Sequence, residues 1–374
     1  MRKFINADAL QRALEQKGWT QAKLADEVGV SSQSVTNWVQ GEGFPRPAAL
    51  LKLATSLRLS FDELVNTETQ SLPIVAFRKK GSAKTTDAHI KKACEIGMLL
   101  KPLVPFLPEM HALRTLITSP STDYNKLQLA VSQTRSRLGI GDNAVLHYEQ
   151  LIGEFSENGA ILVPVLWGAK GNHENAMHIR LPEEDVTFIF VNLDTHAEDF
   201  KFWMAHELAH VFTPELAGKT KGEDFADAFA GALLFPQSCA ELAYTELSRK
   251  RTTNAEIDIL RRYAHTHSIS LNTVFQQVRE FAKNTGLPFL KIDETAIHKV
   301  RNKFSGPLVS EALFDPLPPT PKQYIANAEN VFRSDFFFAL KQMIVKRGTE
   351  AGYLQQVLDL SIGDAIAMRE DLLS

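Results

Sequence analysis

The chain has 374 residues, 44% of them apolar, and its 41 basic and 44 acidic side chains leave a net charge of −3. That length predicts two or three globular domains. Two cysteines, Cys94 and Cys239, exclude a disulfide framework and point to the reducing cytoplasm. The opening MRKFINADALQRALEQ is amphipathic rather than a signal peptide, and no stretch is long enough for a transmembrane helix, so no membrane partner is expected.

Residues 1–66 carry a self-contained helical pattern. Ala9, Leu10 and Leu14 mark a first helix, and Thr20 caps a second that holds Leu24, Ala25 and Val28. Gly29-Val30 makes a tight turn. Ser31 then caps a third helix, Ser32 to Gln40, with Val35 and Trp38 inward and Gly41 at its end. Pro47 starts a fourth helix, and Leu59 to Leu64 closes the segment with a last turn. This is a helix-turn-helix arrangement whose third helix opens with short polar residues.

The run TQAKLADEVGVSSQSVTNWVQGEGFPRP resembles the XRE family, which includes phage repressor and Cro domains. The resemblance implies a double-stranded DNA operator as partner. Ser32, Gln33 and Asn37 fall on the exposed face of the third helix and are candidates for base edges. Thr20, Gln21, Gln40 and Arg46 are better placed for phosphate. Basic residues at 2, 3, 12, 17, 23, 46, 52 and 58 oppose acids at 8, 15, 26, 27, 42, 62 and 63, leaving only about +1. Non-specific DNA affinity should therefore be weak, and a helical module that binds protein is the competing reading.

Thr67 to Ser71 reads as a linker. Leu72 to Phe77 follows, then a basic stretch of Arg78, Lys79, Lys80, Lys84, Lys91, Lys92 and Lys101, which either extends a DNA contact or is a solvated face. Residues 87–118 are apolar and helical but broken by Pro102, Pro105 and Pro108, which predicts two helices joined by a bend. They could join two copies, since operators are commonly read by two-fold dimers. Tyr124 to Leu138 and Val145 to Glu154 predict helices. Gly159 to Val165, Ala176 to Leu181 and Val186 to Asn192 predict strands.

Next comes FWMAHELAHVF. His206 and His210 are four apart, so both imidazoles leave one helix face and can converge on a metal ion. Glu207 lies about 100° further round, placed to take a proton from water rather than to ligate. Asp194 or Thr195 can cap this helix, and Pro214 stops it. A catalytic zinc takes three protein ligands and keeps one position open. The following helix, Lys221 to Leu234, offers Glu223, with Asp227 one turn on to hold the outer nitrogen of a histidine. Its Ala226, Ala228, Ala230, Gly231 and Ala232 are small enough to admit a close neighbour. The competing reading is a helix with two buried histidines and a solvated glutamate.

HELAHVF followed by EDFADAFAGALLFP resembles the ImmA/IrrE metallopeptidases over roughly residues 72–244. The resemblance implies Zn2+ held by His206, His210 and Glu223, with Glu207 as general base and a repressor of the XRE type as a typical substrate. Two positions depart from the usual family pattern: Pro214 stands where many members carry histidine, and Phe225 where Glu is common. Candidates for an oxyanion donor are Tyr148, His173, His178 and Tyr244. In such an architecture an edge strand of the sheet can hold an extended substrate by main-chain hydrogen bonds.

Beyond Tyr244 the pattern is helical. Ile257 to Ala264 and Val274 to Phe281 predict a closing pair, Phe314 to Pro321 a strap, and 322–374 a terminal helical segment. Phe336 to Phe338 is expected in a core or dimer contact, and Tyr353 to Leu373 reads as half of a helix-turn-helix in a structural role.

The expected fold class is α+β and predominantly helical. It comprises an all-α helix-turn-helix domain (1–68), a helical linker or dimerisation region (69–120), a zincin-like domain with a small sheet (121–285) and a helical C-terminal extension (286–374). The leading functional expectation is a DNA-binding regulator carrying a zinc endopeptidase that cuts a repressor-type protein or itself. The same ligands also suit a non-proteolytic repressor or antitoxin, paired with a toxin, whose metal site is a scaffold or sensor. A zinc hydrolase of small molecules is a third option.

Overall fold

The computed structural model describes residues 2–40, 43–68, 72–79, 87–109, 115–168, 174–250, 252–288, 290, 292, 294–301 and 306–374. Gly41, Lys80, Lys84 and His173 lie outside these residues. The chain forms two compact units, Met1–Leu72 and Pro73–Ser374.

In the first unit, strand β1 (Arg2–Ile5) leads into α1 (Ala7–Lys17), α2 (Gln21–Val28), α3 (Ser32–Val39), α4 (Pro47–Leu57) and α5 (Phe61–Leu64), and β2 (Val65–Glu68) returns antiparallel to β1. Local chemistry sets the helix ends. Thr20 and Ser31 accept from the backbone of Lys23 and Ser34, Gly29 turns at φ 78°, and Pro47 occupies the first turn of α4. Leu10, Leu24, Val35, Leu53 and Leu64 are fully buried and form the centre of the core. The β1–β2 ribbon clasps the two ends of the unit. It joins residues 60 to 66 positions apart, from Ile5 with Val65 to Arg2 with Glu68, so helical periodicity gives no sign of it.

The second unit begins with β3 (Ile74–Lys79) and α6 (Asp87–Leu100). A 3-10 helix, Lys101–Phe106, follows where a bend between two helices was expected, and residues 110–114 of that stretch lie outside the described residues. Pro102 and Pro105 remove amide donors that an α-helix would use, and residues 107–109 run on without helix. Ala93, Ile96 and Leu100 of α6 are buried inside the unit. Then come α7 (Tyr124–Arg137), α8 (Tyr148–Glu157), β4 (Ala160–Val165), β5 (Glu174–Leu181), β6 (Val186–Asn192), α9 (Ala197–Phe212) and α10 (Thr220–Leu234). The chain continues through α11 (Gln237–Leu247), α12 (Thr253–His267), α13 (Leu271–Thr285), α14 (Glu294–Arg301) and α15 (Val309–Leu313). It ends with α16 (Pro321–Asn330), α17 (Phe336–Arg347), α18 (Ala351–Leu358) and α19 (Ile362–Leu373). Phe336 and Phe337 are fully buried, whereas Phe338 is exposed.

One sheet organises this unit, in the order β3-β5-β6-β4, with β4 parallel to β6 and the other pairs antiparallel. Every residue of β4 and β6 is buried, as expected of strands covered on both faces. On β5 the faces divide by alternation. Ile179 meets Gly97 of α6, whereas His178 and Arg180 reach α9 and Pro214 just beyond it. The sheet therefore lies between α6 and α9, and β5 is the strand that carries polar side chains towards α9.

Candidate metal centre and nucleic-acid interface

The helix α9 starts without the side-chain cap expected from Asp194 or Thr195. His196 is the N-cap residue, and Asp194 instead accepts from the Gly168 amide at 2.6 Å and the Ser310 hydroxyl at 2.7 Å. Those bonds fasten the β6–α9 junction to two distant segments. Two buried cations brace the pair of helices from behind. The Lys201 ammonium donates to the carbonyl of His267 at 2.6 Å, at the C-terminus of α12, where the helix dipole favours positive charge. The Arg135 guanidinium donates to the carbonyl of Leu233 at 2.8 Å near the end of α10, and to those of Gly141 and Ala144. Burial pulls Lys201 down to about 8. Burial, with Lys201 and Arg135 nearby, pulls His267 down to about 4.

His206 and His210 turn their Nε2 atoms towards each other at 3.2 Å. Glu223 on α10 closes the group, its Oε2 3.3 Å from His206 Nε2 and its Oε1 3.2 Å from His210 Nε2. Ligands held at about 2.05 Å in tetrahedral geometry stand about 3.3 Å apart, so the two imidazole nitrogens and the carboxylate, which offers one oxygen to each, have a spacing that suits a zinc-sized ion. Asp227 Oδ1 lies 2.9 Å from His206 Nδ1; a proton shared there leaves the Nε2 lone pair facing the group. The outer nitrogen of His210 has no hydrogen-bond partner among the described residues. The donor set therefore fits a divalent cation: two imidazole nitrogens and a carboxylate converge at ligand spacing. Without an ion, burial disfavours the charged form of His206, but Asp227 and Glu223 outweigh it and hold the imidazolium up to about 9. Burial pushes Glu223 up, and the two histidines pull it well below the usual carboxylate range.

Glu207 is only 1% exposed, and its Oε2 sits 3.3 Å from Nδ1 of His178, which is 2% exposed. The contact lacks the alignment of a hydrogen bond, and burial pulls the His178 imidazole below its ordinary value despite the neighbouring carboxylate. Burial raises the Glu207 carboxyl, yet His178, His210 and His206 together keep it below its ordinary value. The His178 ring also meets the edge of His210 at 5.6 Å.

Of the four candidate oxyanion donors, His178 alone is placed beside the centre among the described residues, and it faces Glu207. Tyr148 donates to the carbonyl of Ala197, about 14 Å along α9 from His206, and Tyr244 donates to that of Pro288. The alternation Met177-His178-Ile179-Arg180 held a readable signal, since it turns His178 away from the apolar face.

Among the small residues of α10, Ala226 and Ala230 are fully buried. Gly231 serves a different neighbour from the one expected: a Cβ there would meet Gln277 of α13 at 2.4 Å. The glycine that sets the ligand is Gly222, whose Cβ would come within 2.3 Å of the Leu216 carbonyl oxygen. It lets the first turn of α10 sit directly on the Pro214–Leu216 turn, next to Glu223.

In the first unit the expected DNA contacts lie on α2 and α3 and their ends, except Arg46, which is the N-cap of α4. Ser32 and Gln33 are exposed at the start of α3, and Gln33 Nε2 donates to Asn37 Oδ1 at 2.8 Å, one turn on. This bond holds both amides on one face. The Thr20 hydroxyl accepts from the Lys23 amide at 3.2 Å and keeps its own proton to donate. Gln21 accepts from the Thr36 hydroxyl at 3.5 Å. Gln40 and Arg46 are exposed.

Residues 10–64 match the helix-turn-helix family model and residues 170–276 match that of the IrrE N-terminal-like domain. The chain thus joins a helix-turn-helix DNA-binding domain of the XRE type to a domain of the ImmA/IrrE metallopeptidase family, in an α+β, mainly helical fold. A curated relative, the cryptic phage CTXphi transcriptional repressor RstR of Vibrio cholerae serotype O1, is 47% identical over 45 residues. That match covers 12% of this chain and 40% of the relative. No solved structure matches the chain. No helix among the described residues is long and apolar enough to cross a membrane.

Proposed function

We propose that this protein is a DNA-binding transcriptional regulator with a zinc-dependent endopeptidase, acting on a repressor-type protein or on itself. The observation that carries the reading is the triangle of His206, His210 and Glu223 with Glu207 on the same helix. Zinc, when bound, supplies the Lewis acidity that brings the pKa of water near neutrality. Glu207 takes the proton of the attacking water and later hands it to the leaving amine. His178 packs beside the Glu207 carboxylate, and Asp227 fixes the ring of His206 so that Nε2 would face a bound ion. Ser32, Gln33 and Asn37 read base edges, while Thr20, Gln21, Gln40 and Arg46 hold phosphate. The matched phage repressor supports an operator as the DNA partner. Pairing of two copies on a two-fold operator and a cytoplasmic setting complete the reading.

The test is a proteome-wide search for new N-termini in cells carrying the wild-type chain or Glu207→Gln. The substitution removes the proton acceptor and leaves His206, His210 and Glu223 in place, so the variant should keep its zinc and lose every wild-type-specific terminus. Turnover undiminished in Glu207→Gln would remove Glu207 from the mechanism. An empty difference, with one zinc per chain, would favour a regulator whose metal is structural.

A further inference from the structure

The centre is closed on the side of its general base. Glu207, His206 and His210 are each 1% exposed and His178 is 2% exposed, whereas the Glu223 side chain is 31% exposed. The closure next to Glu207 is made by the sheet. His178 places β5 beside Glu207, and β6 occupies one edge of β5. The other edge of β5 is taken by β3, which pairs antiparallel from Ile74 opposite Arg180 to Lys79 opposite Glu174. Ala76 lies directly opposite His178. Cross-strand partners share a face, so Ala76 lies on the same face of the sheet as His178, and it is 6% exposed.

The origin of β3 is informative. It begins two residues after the first unit ends at Leu72, and it pairs with a strand about 100 positions further along the chain, not with a hairpin neighbour. Its start is fastened: Pro73 packs on Gly97, the Cys94 thiol donates to the Pro73 carbonyl, and Val75 lies against Gly218. Towards its far end the register breaks between Arg78 and Lys79. The strand is anchored at one end and irregularly paired at the other.

We propose that β3 is a resident strand on a peptide-binding edge of β5, and that a guest peptide gains access to Glu207 by replacing it there. The guest is an extended segment running antiparallel to β5, bound by main-chain hydrogen bonds, with a small side chain opposite His178 because a buried alanine, Ala76, fills that position. This inference rests on the peptidase reading for what happens to the guest, but strand exchange itself requires no cleavage. The segment that tethers the DNA-binding domain would then also be the one that closes the peptidase.

The test locks the strand. Ile74→Cys and Arg180→Cys face each other across the ladder at a separation that suits a disulfide, and Cys94→Ser removes the nearest competing thiol. The probe is a fluorescent heptapeptide with the sequence of residues 73–79 (PIVAFRK), added to the full chain with or without reductant. The reduced chain should bind it, and the oxidised chain should bind about tenfold more weakly or worse, a difference of about 1.4 kcal/mol. Equal binding in both states, or none by the reduced chain, overturns the proposal. Hydrogen exchange on the unmodified chain gives a second measure independent of the cysteines. The β3 amides should exchange well before those of β6, and equal protection overturns strand exchange. Neither readout uses activity, so failure here is distinguishable from failure of the peptidase reading.

Discussion

Replacing Gly222 with alanine should separate metal affinity from stability. The added methyl would stand 2.3 Å from the Leu216 carbonyl oxygen and 3.1 Å from Leu216 Cβ. Ordinary contact is near 3.5 Å, so the first turn of α10 must retreat by about 1 Å. Because the obstacle is backbone, no side-chain rotation relieves it. Glu223 is the next residue, and a metal site tolerates its ligands only within about 0.2 Å of their distances. Overpacking costs about 1–3 kcal/mol, and the gain in helix propensity from glycine to alanine returns up to about 1 kcal/mol. Metal-free stability should therefore fall by no more than about 3 kcal/mol, while zinc affinity should drop about 10- to 100-fold. The assay is a chelator-competition titration alongside thermal unfolding with and without zinc. Gly231→Ala is the control. Its methyl meets the flexible end of Gln277 about 12 Å along α10 from Glu223, so zinc affinity should stay at the wild-type level. Equal affinities in both variants would refute the claim that Gly222 places Glu223.

Other consequences are open to direct measurement. Burial, with Lys201 and Arg135 nearby, lowers the folded-state pKa of His267 from 6.5 to about 4, so the folded state disfavours its protonation. That contribution is complete above pH 6.5 and is lost as pH falls from 6.5 towards 4, at most roughly 3 kcal/mol by linkage. In urea unfolding across that window, His267→Phe should flatten the acid limb; an unchanged slope would assign the acid sensitivity elsewhere. On the DNA side, Gln33→Ala and Asn37→Ala should broaden the set of duplexes recovered by selection, each costing about 1–3 kcal/mol on the preferred site. Arg46→Ala should instead weaken all sites alike and reduce the salt slope by about one. Anisotropy titrations against salt separate the two behaviours, and a loss of base preference in Arg46→Ala would contradict the assignment to phosphate.

Much of the molecule was legible from the sequence because its signals are local. The i, i+4 spacing of His206 and His210 puts two imidazoles on one face of any helix, and Glu223 with Asp227 repeats that spacing on the next one. Thr20, Gly29, Ser31 and Pro47 punctuate the helix-turn-helix by backbone chemistry that needs no distant partner. Tertiary structure decided what lies across long chain separations. Asp194 was open to serve as a helix cap until Ser310 and Gly168 claimed its carboxylate. His178 was one of four possible donors until β5 was registered against β6 and brought it to Glu207. Leu72 to Phe77 carried no assigned structure, because an edge strand is specified by the neighbour it pairs with, here about 100 residues away, rather than by its own periodicity. Helical faces follow from a few consecutive residues, whereas a sheet edge exists only once distant strands have met.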